Sequence, residues 1–200
     1  PGTRTSATST SSMAGRVPLL PSNTALCAGP DISYIKIKTS NPYTHTPVSV
    51  VLAEALVPNW FGGKNQSTVE GQSAAFKGSK MKGIRYEPLL DFGNEIEPLL
   101  GGTDAYLVLT GDHVTTSDGT GIVHTAPSFG ADDQRVAKAN GVGTLTLVDQ
   151  TGKFKENVGP YSGRYVKDYK DEPGYVAVDI DIAIQLKTEG KALNVQKYEH

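Results

Sequence analysis

Apolar and basic residues alternate from Tyr34 to Lys38, where YIKIK sends every second side chain to one face, the pattern of a half-buried strand. Asn41-Pro42 follows as a turn, and the β-branched run from Val48 to Leu52 reads as a second, buried strand. Ala53 to Val57 suits a short helix stopped by Pro58. Val69 to Tyr86 reads as strand segments bent at Gly78 and Gly83, and Ala105–Leu109 (AYLVL) and Gly121–His124 as further strands. Asp132 to Asn140 (DDQRVAKAN) predicts a helix, with carboxylates where the macrodipole favours them and Gly141 as its stop. Thr144–Val148 alternates as a strand ahead of a turn at Asp149–Lys153. Ile180–Glu189 has helical spacing through Ile182, Ile184 and Leu186, ended by Gly190, and Ala192–Val195 forms a last strand. Strands and helices do not alternate regularly and no unit repeats, which argues against a doubly wound sheet. The expected class is α+β, mainly β: a β-barrel-like core with a few helices packed outside it.

Length and composition narrow this little. Two hundred residues suffice for one domain with its own core. A formal charge of -2 excludes a protein that grips nucleic acid over its whole surface, while leaving room for a local contact to an RNA end. The single cysteine, Cys27, excludes an internal disulfide and a Cys-rich zinc site, and fits a cytoplasmic chain. No apolar run approaches the ~18–20 residues of a membrane span. Residues 1–18, small and polar without periodicity, are expected to be a disordered or non-native leader on a chain that reads as a fragment; residues 19–200 form the domain.

The chemistry concentrates in Asp118–Asp133: a Gly-rich turn, a short apolar strand ending in His124, a Pro/Gly loop, and a helix opening on Asp132-Asp133. Gly119, Gly121 and Gly130 permit close backbone approach, and loop N–H groups beside a helix N-terminus can polarise a carbonyl. Taken singly, each residue has a plainer explanation. The aspartates can cap a helix, His124 can be a hydrogen-bonded rim residue, and the glycines can merely turn the chain.

Taken together, Gly119-Thr120-Gly121-Ile122-Val123-His124-Thr125-Ala126-Pro127, then Gly130 and Asp132-Asp133, resemble the G-T-G-x-V-H-x-A-P-x-x-G-x-D-D signature of isoleucyl-tRNA synthetase editing (CP1) domains. The sister synthetases for valine and leucine lack the histidine of V-H-x-A-P. Leu20-Pro21-Ser22-Asn23-Thr24-Ala25-Leu26, Gly83–Leu89, Gly163–Val166 and Val195–His200 are similar to further segments of the family. The H-I-G-H and K-M-S-K-S signatures of the parent catalytic core are missing. The resemblance implies a domain that hydrolyses valine from mischarged Val-tRNA(Ile), with valyl-adenylate as the alternative substrate. On this resemblance Asp133 is expected to bind the α-ammonium group and His124 to line the side-chain pocket. Thr120, Thr125, Asn23 and Gly130 are expected to contact substrate or the tRNA terminus, and Asp132 to cap the helix or to stand behind the site. It further implies a monomer without metal or acyl-enzyme. No cofactor is expected in this domain, with ATP and Mg belonging to the parent synthetase. The implied partners are the tRNA(Ile) 3′ end and the rest of the synthetase in cis. The family's T-T-T-P-W-T before L-P-S-N is absent, Ala14–Leu19 standing there instead, so weak editing by this chain is expected.

Three other readings stay open at this point. A non-catalytic RNA-binding module would use Lys77, Lys80, Lys82, Arg85 and Tyr86, with Lys153, Lys155, Arg164 and Lys167. A metallohydrolase would use His113, His124, Asp132 and Asp133, without any H-x-H or H-E-x-x-H spacing to support it. A serine or cysteine hydrolase would need a base for Ser162 or Cys27, and Ser162 lacks the G-x-S-x-G elbow.

Overall fold

The computed structural model describes residues 17–63, 67–166 and 178–195, so the expected leader falls almost wholly outside it. Among these described residues seven strands form two small sheets. β1 (Ala25–Ala28) lies between β6 (Leu107–Thr110), to which it runs parallel, and β7 (Ile122–Thr125), to which it runs antiparallel. β2 (Ser33–Ser40) and β3 (Pro47–Ala53) make a long antiparallel pair, and β4 (Gly71–Gln72) and β5 (Phe76–Lys77) add short ladders to the other edge of β2. The two sheets meet across Leu26, Ala28, Tyr34, Ala53, Leu56, Met81, Val108 and Ile122, the apolar wall of a barrel-like core. On the far side of the β1 sheet, Ala25, Cys27 and Leu109 receive Val136 and Ala137 of helix α2 (Ala131–Ala139). A further cluster gathers Leu145, Leu147, Phe154 and Tyr161 around Val178, Ile182 and Leu186 of helix α3 (Val178–Thr188). The α+β, mainly β, class holds.

Several local expectations change, each for a physical reason. Pro58 does not stop a helix; it sits in the first turn of α1 (Val57–Trp60), directly after a 3-10 turn at Glu54–Leu56, where a missing N–H costs nothing. Thr144–Val148 keeps its alternation, with Leu145 and Leu147 buried, but makes only single bridges, Thr144 to Glu97 and Val148 to Phe154, in place of a strand. Ala192–Val195 likewise buries Ala192 and Leu193 without pairing. In α3 the buried face is Val178, Ile182 and Leu186, spaced i, i+4 and i+8, so Ile184 turns outward at 56% exposure. Val69–Tyr86 resolves into the two short strands β4 and β5 and a 3-10 turn at Gly78–Met81.

Candidate functional site at the end of β7

The G-T-G turn is clamped to the second sheet. Trp60 Nε1 donates to Gly119 O at 2.8 Å, Ala53 N to Thr120 O at 2.8 Å, and the Tyr34 hydroxyl to Gly121 O at 2.5 Å. All three carbonyls of the motif are thus taken by neighbours. Gly121 takes φ +74°, and a Cβ on it would stand 2.6 Å from the Ala53 Cβ, so both backbone and packing demand glycine. Thr120 is buried inside this turn, its hydroxyl 3.4 Å from both the N–H and the carbonyl oxygen of Ile122. It lies in the turn that leads into β7, at the opposite end of the strand from Thr125.

That other end gathers the remaining candidates. Leu26 stands opposite His124 and Ala25 opposite Thr125, and paired residues share a face. His124, 6% exposed, therefore lies on the face toward the second sheet with Leu26, and Thr125 on the face that carries Cys27 and α2. Asp133 arrives from the first turn of α2, and its Oδ2 accepts the Ala126 N–H at 2.9 Å, just past the end of β7. Gly130 is the N-cap of α2; a Cβ there would sit 3.2 Å from the Asp133 Cγ, so glycine makes room for the folded-back carboxylate. The two aspartates differ. Asp132 is exposed and pairs with Arg135 at 3.3 Å, whereas Asp133 meets no cation among the described residues and its Oδ1 carries no hydrogen bond there.

Asn23 ties this end together. Its Nδ2 donates to Ala25 O at 2.6 Å and to Thr125 O at 3.3 Å, and its Oδ1 accepts the Tyr86 hydroxyl. Beside it the hydroxyls of Ser22, Thr24 and Thr125 are buried without a hydrogen-bond partner among the described residues. Such groups cost free energy unless water or a ligand satisfies them. Tyr106 adopts φ +59°, left-handed and costly for a bulky residue, while its N–H donates to Thr24 O and its carbonyl accepts from Tyr86 N. The structure therefore brings Asp133, Thr125, Asn23 and Gly130 to one end of β7, with His124 adjacent on the other face, and leaves Thr120 at the opposite end. Sequence reasoning missed Ser22, Thr24 and Tyr86. The family-like segments around Ser22 and Tyr86 were visible, but nothing in their spacing reveals that they meet.

The rival chemistries find less here. Cys27 is fully buried, and that burial, reinforced by the nearby Asp133 and Asp112 charges, pushes its thiol up to about 12, far from a thiolate nucleophile at neutral pH. Ser162 is spent on Glu156 O and Gly159 O. No three His, Cys, Asp or Glu side chains among the described residues could hold a metal ion. Many of the basic groups are engaged locally: Lys77 with Asp31 O, Arg85 with Asp104, Arg164 with Asp181, and Lys153 over the Tyr165 ring at 4.4 Å. Lys167 lies outside the described residues. No helix among the described residues is long and apolar enough to cross a membrane.

No family model matches the chain. Curated relatives do. It is 38% identical over 216 residues to an isoleucine–tRNA ligase of Cytophaga hutchinsonii, covering 90% of this chain and 19% of that protein. To the isoleucine–tRNA ligases of Porphyromonas gingivalis and Treponema denticola it is 36% and 38% identical, again over 90% of the chain. Among solved structures, one described as GlLeuRS-CP1 superposes with a TM-score of 0.53 at 14% identity, covering 93% of this chain and 83% of that one, a likeness of fold. The chain spans about a fifth (19% and 19%) of the length of the first relatives it matches. By sequence over nine-tenths of its length the chain belongs to the isoleucyl-tRNA synthetase family, and it shares its fold with the CP1 structure.

Proposed function

We propose that this chain deacylates Val-tRNA(Ile) by water attack in a pocket at the end of β7 that is too small for isoleucine. The observation that carries the reading is the difference between the two aspartates: Asp132 is neutralised by Arg135, while Asp133 presents a carboxylate at the strand end with no cation among the described residues. An α-ammonium group is the natural partner of such a charge, and binding it fixes the ester at the end of β7. Water adds to the ester carbonyl, the carbon–oxygen bond to the ribose breaks, and the ribose oxygen leaves with a proton, releasing free valine. No enzyme nucleophile takes part. Thr125 and Asn23 shape the mouth of the side-chain hollow and Gly130 admits the Asp133 carboxylate, while His124, next along the strand but facing the second sheet, bounds the site from that other side.

The need for such a sieve is energetic. One methylene is worth only about 1–3 kcal/mol in an apolar pocket, a limit for which isoleucyl-tRNA synthetases are themselves the standard example, so a second site must remove the errors. The domain itself uses no metal or cofactor; ATP and Mg serve aminoacylation in the parent synthetase. It acts in the cytoplasm, as a monomer held in cis by that synthetase, on the tRNA(Ile) 3′ end. Valyl-adenylate is a second substrate of the same pocket.

The test is deacylation of Val-tRNA(Ile) and Ile-tRNA(Ile) by this chain and by Asp133→Ala. The expected result is slow hydrolysis, because the threonine-rich segment is lacking, with valine preferred and the activity lost in the variant. Equal action on both esters defeats the sieve, and activity untouched by Asp133→Ala defeats the site.

A further inference from the structure

The Asn23 amide is oriented by its surroundings. Ala25 O and Thr125 O are carbonyls and can only accept, so the NH2 end must face them, at 2.6 and 3.3 Å. That leaves Oδ1 for Tyr86, whose hydroxyl must therefore be the donor. Burial pushes the Tyr86 phenol above its ordinary range, which keeps the proton in place. Tyr86 is itself anchored two strands away. Residues 83–86 run along β6 through Gly83 N to Val108 O, Val108 N to Ile84 O, and Tyr86 N to Tyr106 O, and the Tyr86 and Tyr106 rings meet edge to face at 6.0 Å. The hydroxyl thus reaches from the outside of β6 to Asn23 at the head of β1, the group that holds the end of β7.

At that end of β7 lies the Thr125–Ala126 peptide. Its carbonyl accepts from Asn23 Nδ2 and from Thr24 N, and its N–H donates to the Asp133 carboxylate. One peptide unit is therefore gripped on one side by Asn23 and on the other by Asp133. We propose that Tyr86 is a positioning residue for this site: its hydroxyl locks the Asn23 amide, and through the Thr125–Ala126 peptide it sets where the Asp133 carboxylate stands. The effect of this lock on substrate binding rests on the reading of Asp133 as the ammonium-binding group. The lock itself does not.

Tyr86→Phe removes one oxygen and keeps the ring against Tyr106. Compared with it are Asn23→Ala and the double variant, all in the full 200-residue chain. Two quantities are read: the Kd for 3′-amino-3′-deoxyadenosine acylated with valine, whose amide does not hydrolyse, and the hydrogen-exchange rate of the Ala126 amide. Loss of one buried hydrogen bond is expected to weaken binding by about tenfold in Tyr86→Phe. The Ala126 amide should exchange about tenfold faster in the same variant. Amides of the β2–β3 ladder should keep their rates. Because Tyr86 acts through Asn23, the double variant should be no worse than Asn23→Ala alone. Parental exchange at Ala126 in Tyr86→Phe, additive effects in the double variant, or exchange raised equally throughout β2–β3 each overturn the proposal. An unsubstituted chain that does not bind the analogue overturns the proposed function instead, and the Ala126 exchange rates still decide the role of Tyr86.

Discussion

Gly121→Ala measures how tightly the G-T-G turn is built. Two costs add. At φ +74° an alanine pays the left-handed penalty of about 1–2 kcal/mol. Its Cβ would also lie 2.6 Å from the Ala53 Cβ, well inside ordinary contact, whereas the Ala53 Cα and N at 3.7 Å would be in normal contact. Ala53 cannot retreat freely, because its N–H is bonded to Thr120 O and its residue pairs with Tyr34 across β2–β3. Overpacking of this kind costs about 1–3 kcal/mol. Alanine also restricts the unfolded chain relative to glycine, returning about 0.4–1 kcal/mol. The expected net loss is therefore on the order of 2–4 kcal/mol.

Gly83→Ala is the internal control. Gly83 has φ +81°, and a Cβ there would meet nothing within 4 Å, so only the conformational penalty applies. Its net loss should be about 1 kcal/mol or less. Urea titration followed by the fluorescence of Trp60, the sole tryptophan and a direct donor to Gly119 O, reads both variants with a probe seated on the turn. With slopes unchanged, the midpoint of Gly121→Ala should fall clearly below that of Gly83→Ala. Equal losses would refute the steric half of the reasoning and leave the turn held by conformation alone.

Two further outcomes follow from burial. Ile182→Ala should cost about 2–5 kcal/mol, since Ile182 is fully enclosed, while Ile184→Ala, at 56% exposure, should stay within about 0.5 kcal/mol in the same titration; a reversed order would mean that α3 presents its other face to the core. The Cys27 thiol, ordinarily near 9.0 and here raised to about 12 chiefly by burial, should resist a disulfide reagent at neutral and mildly alkaline pH until the chain unfolds. Between those two values the unfolded chain gives up a proton that the folded chain keeps, so stability falls as pH rises there. Cys27→Ala should flatten that part of the slope, and an unchanged slope would contradict the assigned burial.

The parts legible in the sequence are those set by local rules. Period-two alternation located β2, a β-branched run located β3, and the acidic start and glycine stop located α2, because pleat, side-chain branching, dipole and φ > 0 act within a few residues. Where partners must come from far away, the same alternation misled. Thr144–Val148 buries Leu145 and Leu147 as a strand would, yet finds only isolated bridges, since pairing depends on what the fold sets beside it. The site divides along the same line. Resemblance named Asp133, His124 and Asn23, but Asp132 and Asp133 look alike in sequence, and only Arg135 on one side and Ala126 on the other separate them.

The same division explains why a glycine-rich motif and the residues beyond it carry different duties. The three carbonyls of Gly119-Thr120-Gly121 are consumed by Trp60, Ala53 and Tyr34, so that end of β7 is fixed to the second sheet with little left to offer a ligand. Its far end is held by the Asn23 amide, the Thr24 N–H and the Asp133 carboxylate, and beside it stand three buried hydroxyls without partners among the described residues. A strand anchored at one end presents the other as a defined edge, and unsatisfied polar groups are what such an edge needs in order to receive a substrate. The motif's conspicuous glycines thus hold the strand, and on the proposed reading the chemistry falls to the residues at its close.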